Sequence, residues 1–210
     1  TSYAKHISRG VHILLILYLC VGASSMYFHA TLSLLGQWLD EILIIWTFMF
    51  GYAAFIPNEF RPSFFYGVTA YAICTVIGLA FTMLWFVNPF FNAFWMFLLT
   101  LPVVVMSLII LKVNNNPVIK QMLKVTLFLF CCSLLIWFSD RLMCGMWLSM
   151  GIPGIHSAWH VVAGIVSYLV ITLFAYWKAK TDNPRVKTSI RYIPGESWGI
   201  PYVYCKELHC

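Results

Sequence analysis

Six continuous apolar runs constrain this chain more than any other feature. With approximate edges they are 10–28, 38–56, 64–86, 92–112, 121–139 and 156–178. A helix needs roughly 17–25 such residues to cross the hydrocarbon core of a bilayer. The runs are unbroken, as in LLILYLCVGASSMYF and VVAGIVSYLVITLFAYW. A membrane β-barrel would instead alternate apolar and polar residues in segments of about ten. The expected fold is therefore all-α, a polytopic membrane helical bundle over 1–178 followed by a cytosolic tail over 179–210. Pro102 lies inside the fourth run, where it removes a backbone donor and is expected to kink the helix.

Composition agrees. Of the 210 residues, 10% are charged and 61% apolar, with a mean hydropathy of +0.84. Soluble domains carry about 25% charged residues, so a water-exposed surface could not be covered here. Disorder is excluded because disordered chains are poor in apolar and aromatic residues. The net charge of +6 forms no aromatic-interleaved basic patch, so no nucleic-acid partner is expected, and no protein partner is evident.

The basic residues instead give an orientation. With six spans, Lys5, Arg9, Arg61, Lys112, Lys120, Lys124, Lys178, Lys180, Arg185, Lys187, Arg191 and Lys206 share one side, and only Arg141 falls on the other. Positive charge marks the cytosolic side, so both ends are expected there. No signal peptide precedes the first span, and the chain begins with Thr, which suggests an N-terminally incomplete product. Cys20, Cys74, Cys131 and Cys132 lie in spans and read as packing residues. Cys144 falls on the opposite side from the basic residues, where an oxidising compartment would permit a disulfide.

Ionisable groups in spans are costly and mark functional sites. His29 ends the first span, Asp40 and Glu41 open the second, Asp140 closes the fifth, and His156 and His160 open the sixth. All are expected toward the face opposite the basic residues. Ser25 and His29 are four apart, as are His156 and His160, so each pair shares one helix face.

H-S-A-W-H has the spacing of helical metal chelation; histidines bonding across the bundle or sitting at headgroup depth are the alternative. A third histidine and a nearby carboxylate favour the metal. Three neutral nitrogens with one open position suit catalytic zinc. Asp40 then reads as a general base and Ser25 as a donor to an oxyanion.

The remaining polar groups read as structural. Asp140 and Arg141 form a local ion pair or helix-end contact. Glu41 points about 100° away from Asp40 and orients a ligand or caps its helix. His6 and His12 are interfacial, and His209 has no visible partner. Trp147, Trp159, Trp177 and Tyr27 belong to interfacial belts, although Trp159 also walls the histidine pair.

GASSMYFHATLSLLGQWLDE (22–41), WFSDRLMC (137–144) and HSAWH (156–160) resemble the core signatures of the alkaline ceramidase family. The tail RYIPGESWGIPYV (191–203) is similar to the type 1 members. The resemblance implies a seven-helix zinc hydrolase that cleaves the amide of ceramide, within the membrane and its lipids, to a sphingoid base and a free fatty acid. It implies zinc on His29, His156 and His160, with Asp40 as catalytic aspartate and Ser25 as active-site serine. The six spans then match helices two to seven. Calcium is expected of the family, but the N-terminal acidic segment associated with it is absent here, as is the cysteine expected to pair with Cys144.

The type 1 likeness suggests the endoplasmic reticulum membrane, with Golgi as the alternative, and a site on the lumenal side. Two other functions fit the same residues. One is a zinc-containing receptor of the adiponectin or progestin receptor type. The other is an ion or proton transporter using the His/Asp cluster as a relay.

Overall fold

Each apolar run becomes a helix. The computed structural model describes residues 3, 5, 7, 8, 10–87, 90–152, 155–183, 185–195 and 198–207; His6, Arg9 and His209 lie outside them. The helices are α1 (Gly10–Thr31), α2 (Leu34–Phe55), α3 (Gly67–Val87), α4 (Phe90–Val113), α5 (Pro117–Ser149) and α6 (Ile155–Asp182). All six are long and apolar enough to cross a membrane. Their surfaces carry large apolar side chains such as Val68, 86% exposed, and Leu142, 81% exposed. Soluble monomers rarely leave so much contiguous apolar surface uncovered. The chain is a multi-pass membrane protein.

The chain divides into two compact units, 1–103 with 174–210, and 104–173. In the first, α1 and α2 meet at a tight reversal. Leu32 takes a positive φ of 49°, and Ser33 caps α2 by accepting from the Gly36 N–H at 3.0 Å. Such a cap satisfies one of the orphan donors of a helix start. Gly36 lets the two helices approach, because a Cβ there would stand 2.8 Å from Phe28 Cα.

Further along, Ile45, Met49 and Ala53 of α2 pack with Ala70 and Cys74 of α3 and Leu99 of α4. The Tyr52 hydroxyl donates to the Leu99 carbonyl.

The other end of α2 is bolted down by polar contacts. In the 3₁₀ turn Asn58–Phe60, Glu59 accepts from the Trp177 indole. The Asn58 N–H donates to Asp182 at 3.2 Å, and Lys178 reaches the same carboxylate at 2.7 Å. Trp177 is therefore a buried structural residue and not part of an interfacial belt. Its indole needs an acceptor once buried, and Glu59 supplies it.

After α6 the chain forms an antiparallel hairpin, β1 (Val186–Pro194) and β2 (Gly199–Glu207), paired from Val186↔Glu207 to Pro194↔Gly199. The tail thus has strand structure that an all-α reading does not contain. Arg191 lies over the Tyr204 ring at 3.7 Å. Cys205 is buried in β2, and that burial pushes its thiol pKa up.

In the second unit, Asn116 caps α5 by accepting from Val118 N–H at 3.0 Å, with Pro117 in the first turn. The fifth apolar run, 121–139, lies inside a longer helix, Pro117–Ser149, of 33 residues. Counting apolar residues stops at Asp140 and Arg141, whereas both charges have partners that let the helix continue. Arg141 lies over the Trp137 ring. The irregular residue in this helix is Met143 (φ −122°, ψ 20°), while α4 runs helical through Pro102.

The span cysteines divide. Cys74 is buried and Cys132 half-buried, but Cys20 and Cys131 are exposed. The expected burial therefore holds for two of the four, and sequence could not separate them because an apolar run looks the same whether it faces lipid or protein. Cys144 is a free, exposed thiol.

Gly36→Ala should force α1 and α2 apart and cost about 1–3 kcal/mol, as overpacking does. Thermal unfolding in detergent measures this, and an unchanged midpoint would show that the approach is not tight.

Candidate active site

The reversal at Leu32 and Ser33 puts the end of α1 against the start of α2. Ser25 sits one turn before His29 on α1, and Asp40 lies in the second turn of α2. The Ser25 side chain hydrogen-bonds the Asp40 carboxylate. Asp40 is 6% exposed, and its Oδ1 is buried without a hydrogen-bond partner among the described residues. A buried carboxylate oxygen left unsatisfied is costly. It retains the capacity to accept a further hydrogen bond. His29 is exposed, with its ring against Phe28 at 5.0 Å between centroids.

Glu41 follows Asp40 in sequence but does different work. It accepts from Gln37 at 3.0 Å and from the Trp85 indole of α3. The helix cap is Ser33, so of the two roles expected of Glu41, orienting a ligand or capping, the cap is corrected to a brace between α2 and α3.

In the second unit the start of α6 holds His156 and His160 one turn apart, with ring centroids at 4.8 Å. One ligating nitrogen of each lies within 4.8 Å of the other. Trp159 packs beside both, at 5.2 Å from His156 and 4.6 Å from His160. It walls the pair, as its position between them in sequence suggests.

Behind His156 stands a partner that sequence reading assigned elsewhere. Asp140 Oδ2 lies 2.9 Å from His156 Nδ1. The expected pairing of Asp140 with Arg141 or a helix end is therefore corrected. These residues lie on different helices, 16 positions apart, and no local spacing rule connects them. The donor chemistry fits a zinc ion. Neutral imidazoles are preferred zinc ligands, and a ligating histidine almost always gives its other ring N–H to a carboxylate, carbonyl or water.

The family model described as Ceramidase matches residues 1–204. The chain is 33% identical over 207 residues to "Alkaline ceramidase" of Drosophila melanogaster, covering 96% of this chain and 73% of that protein. It is 33% identical over 208 residues to "Alkaline ceramidase 1" of Homo sapiens, covering 96% and 78%. The "Alkaline ceramidase" of Caenorhabditis elegans is 30% identical over 194 residues, covering 89% and 71%. No solved structure matches the chain significantly.

Glu41→Ala should strip the Trp85 indole of its acceptor and lower stability by about 1–3 kcal/mol, the cost of an unsatisfied buried donor. Thermal unfolding checks the magnitude, and an unfolding midpoint equal to wild type would remove Glu41 as a brace.

Proposed function

We propose a zinc-assisted, intramembrane form of ceramide hydrolysis for this chain, which belongs to the ceramidase family. The reaction adds water across the amide of ceramide and releases a sphingoid base and a fatty acid. Family membership supports the reaction. The observation that carries the catalytic assignment is the buried Asp40 carboxylate, hydrogen-bonded to Ser25 and with Oδ1 unsatisfied among the described residues.

The residues have separate tasks. His29, His156 and His160 are the nitrogen donors that would hold zinc. When bound, zinc supplies Lewis acidity toward a carbonyl and makes water a better nucleophile near neutral pH. Asp40 takes the proton from the attacking water and later returns it to the leaving amine nitrogen. A base must lie within hydrogen-bond reach of the proton it removes, and the unsatisfied Oδ1 supports this role because it has accepting capacity left for a water. Ser25 turns its hydroxyl proton toward the oxyanion as the carbonyl is attacked. Such a donor acts where charge develops in the transition state.

The amide of a ceramide held by its tails in the bilayer sits near the membrane interface. A site toward the lumenal face of an endoplasmic reticulum membrane suits this substrate. The support is the side shared by twelve of the thirteen basic residues, opposite the His/Asp cluster in the six-span topology, together with the positive-inside rule and the type 1 likeness of the tail. The same asymmetry supports a cytosolic C-terminus.

In purified chain supplied with ceramide, Asp40→Asn should retain zinc and lose nearly all turnover. Loss of zinc in that variant would make Asp40 a ligand or support and remove it as the base. Ser25→Ala should slow kcat roughly 10²–10³-fold if it stabilises the oxyanion. A rate within a factor of two of wild type would exclude Ser25 from the mechanism.

A further inference from the structure

We propose that Asp140 is a positioning residue for the metal site: its carboxylate fixes the tautomer and rotation of His156, so that Nε2 is the nitrogen presented to the ion. This rests on the zinc reading above and adds a residue that the ligand set and the catalytic pair do not include.

The chemistry follows from the 2.9 Å contact between Asp140 Oδ2 and His156 Nδ1. An ionised carboxylate only accepts, and a neutral imidazole has one donor and one acceptor nitrogen. Nδ1 therefore carries the proton and Nε2 the lone pair. A carboxylate behind a ligating imidazole orients the ring and raises its basicity toward the metal.

The contact is also sterically defined. The His156 ring is flanked by Trp159 and by His160, at centroid distances of 5.2 and 4.8 Å. Once the ring is so confined, a partner at Nδ1 decides which nitrogen points away from α5.

Asp140 is held for this task. The helix departs from regular geometry at Met143, and Trp147 bridges that irregularity. Its indole donates to the Ser139 hydroxyl at 3.0 Å and reaches the Ser139 carbonyl at 3.3 Å. The residue directly before Asp140 is thus tied to the turn beyond the kink. Arg141, the cation nearest in sequence, is turned onto Trp137 with its guanidinium carbon 5.7 Å from the ring centre. The Asp140 and His156 side chains are 21% and 26% exposed. A carboxylate in a membrane span demands a partner, and the imidazole answers it while being aimed itself.

The test compares the full chain with Asp140→Ala and Asp140→Asn, purified in detergent and stripped of metal. Zinc affinity is measured by competition with a chelator, and thermal unfolding is recorded with and without zinc. Asp140→Ala should bind zinc about 10–100-fold more weakly, the usual effect of losing an outer-shell partner. Asp140→Asn should lose less, because its amide oxygen still accepts from Nδ1–H. The zinc-free Asp140→Ala variant should unfold somewhat below wild type, since it loses the contact between α5 and α6, and Asp140→Asn closer to it. In both, the rise in Tm on adding a fixed zinc concentration should shrink with the affinity.

Wild-type affinity in both variants would overturn the role of Asp140 and leave the zinc site standing. A lower Tm in the zinc-free state with no change in affinity would make Asp140 structural and likewise overturn the role. Absence of zinc binding by the folded wild type would overturn the zinc reading and this inference with it.

Discussion

An ionisable side chain inside a membrane span must find a partner or leave the span, and the polar architecture of this protein follows from that constraint. Each unpaired polar group in hydrocarbon costs several kcal/mol. Asp140 is answered by His156, Glu41 by Gln37 and Trp85, and Arg141 by the face of Trp137. Against that background Asp40 stands out. It has Ser25, yet retains a buried oxygen without a partner among the described residues. Among these acids, Asp40 is the one with a buried oxygen left over, which is the ground for proposing it as the base.

The local backbone explains how such a group is held. Leu32 and Ser33 reverse the chain, the Ser33 hydroxyl starts α2, and Gly36 removes the side chain that would hold the helices apart. Together they bring the polar end of α1 beside the first turns of α2. On the other unit, a kinked α5 braced by Trp147 presents Asp140 to the first turn of α6. Both arrangements use a helix end or an irregular helix, where backbone direction can be set by one or two residues.

Much of this was legible in the sequence. Unbroken apolar runs identify helices because lipid leaves the backbone only helices and closed barrels, and a barrel would alternate. The four-residue spacings of Ser25 to His29 and of His156 to His160 put each pair on one face before any coordinate is known. What could not be read depended on partners remote in sequence. Asp140 looked like a partner for its neighbour Arg141 because the contact with His156 crosses between helices. Glu41 looked like a cap because Trp85 is 44 residues away. The helix of the fifth run continues past the charges where an apolar count stops, and both charges have partners there. The hairpin escaped notice for a different reason. Its two prolines, Pro194 and Pro201, lie at strand positions, and a proline argues against a strand in sequence.

The claim on which the account rests is that zinc bound by histidines and ceramide hydrolysis belong to one site. The direct measurement takes one purified sample, quantifies bound zinc, follows fatty-acid release from ceramide, repeats both after chelation and readdition of zinc, and includes His29→Ala. The account predicts about one zinc per chain, as expected for a three-nitrogen site. Release should vanish on chelation and return with zinc, and both properties should be lost together in His29→Ala. Undiminished fatty-acid release from zinc-free protein would contradict it.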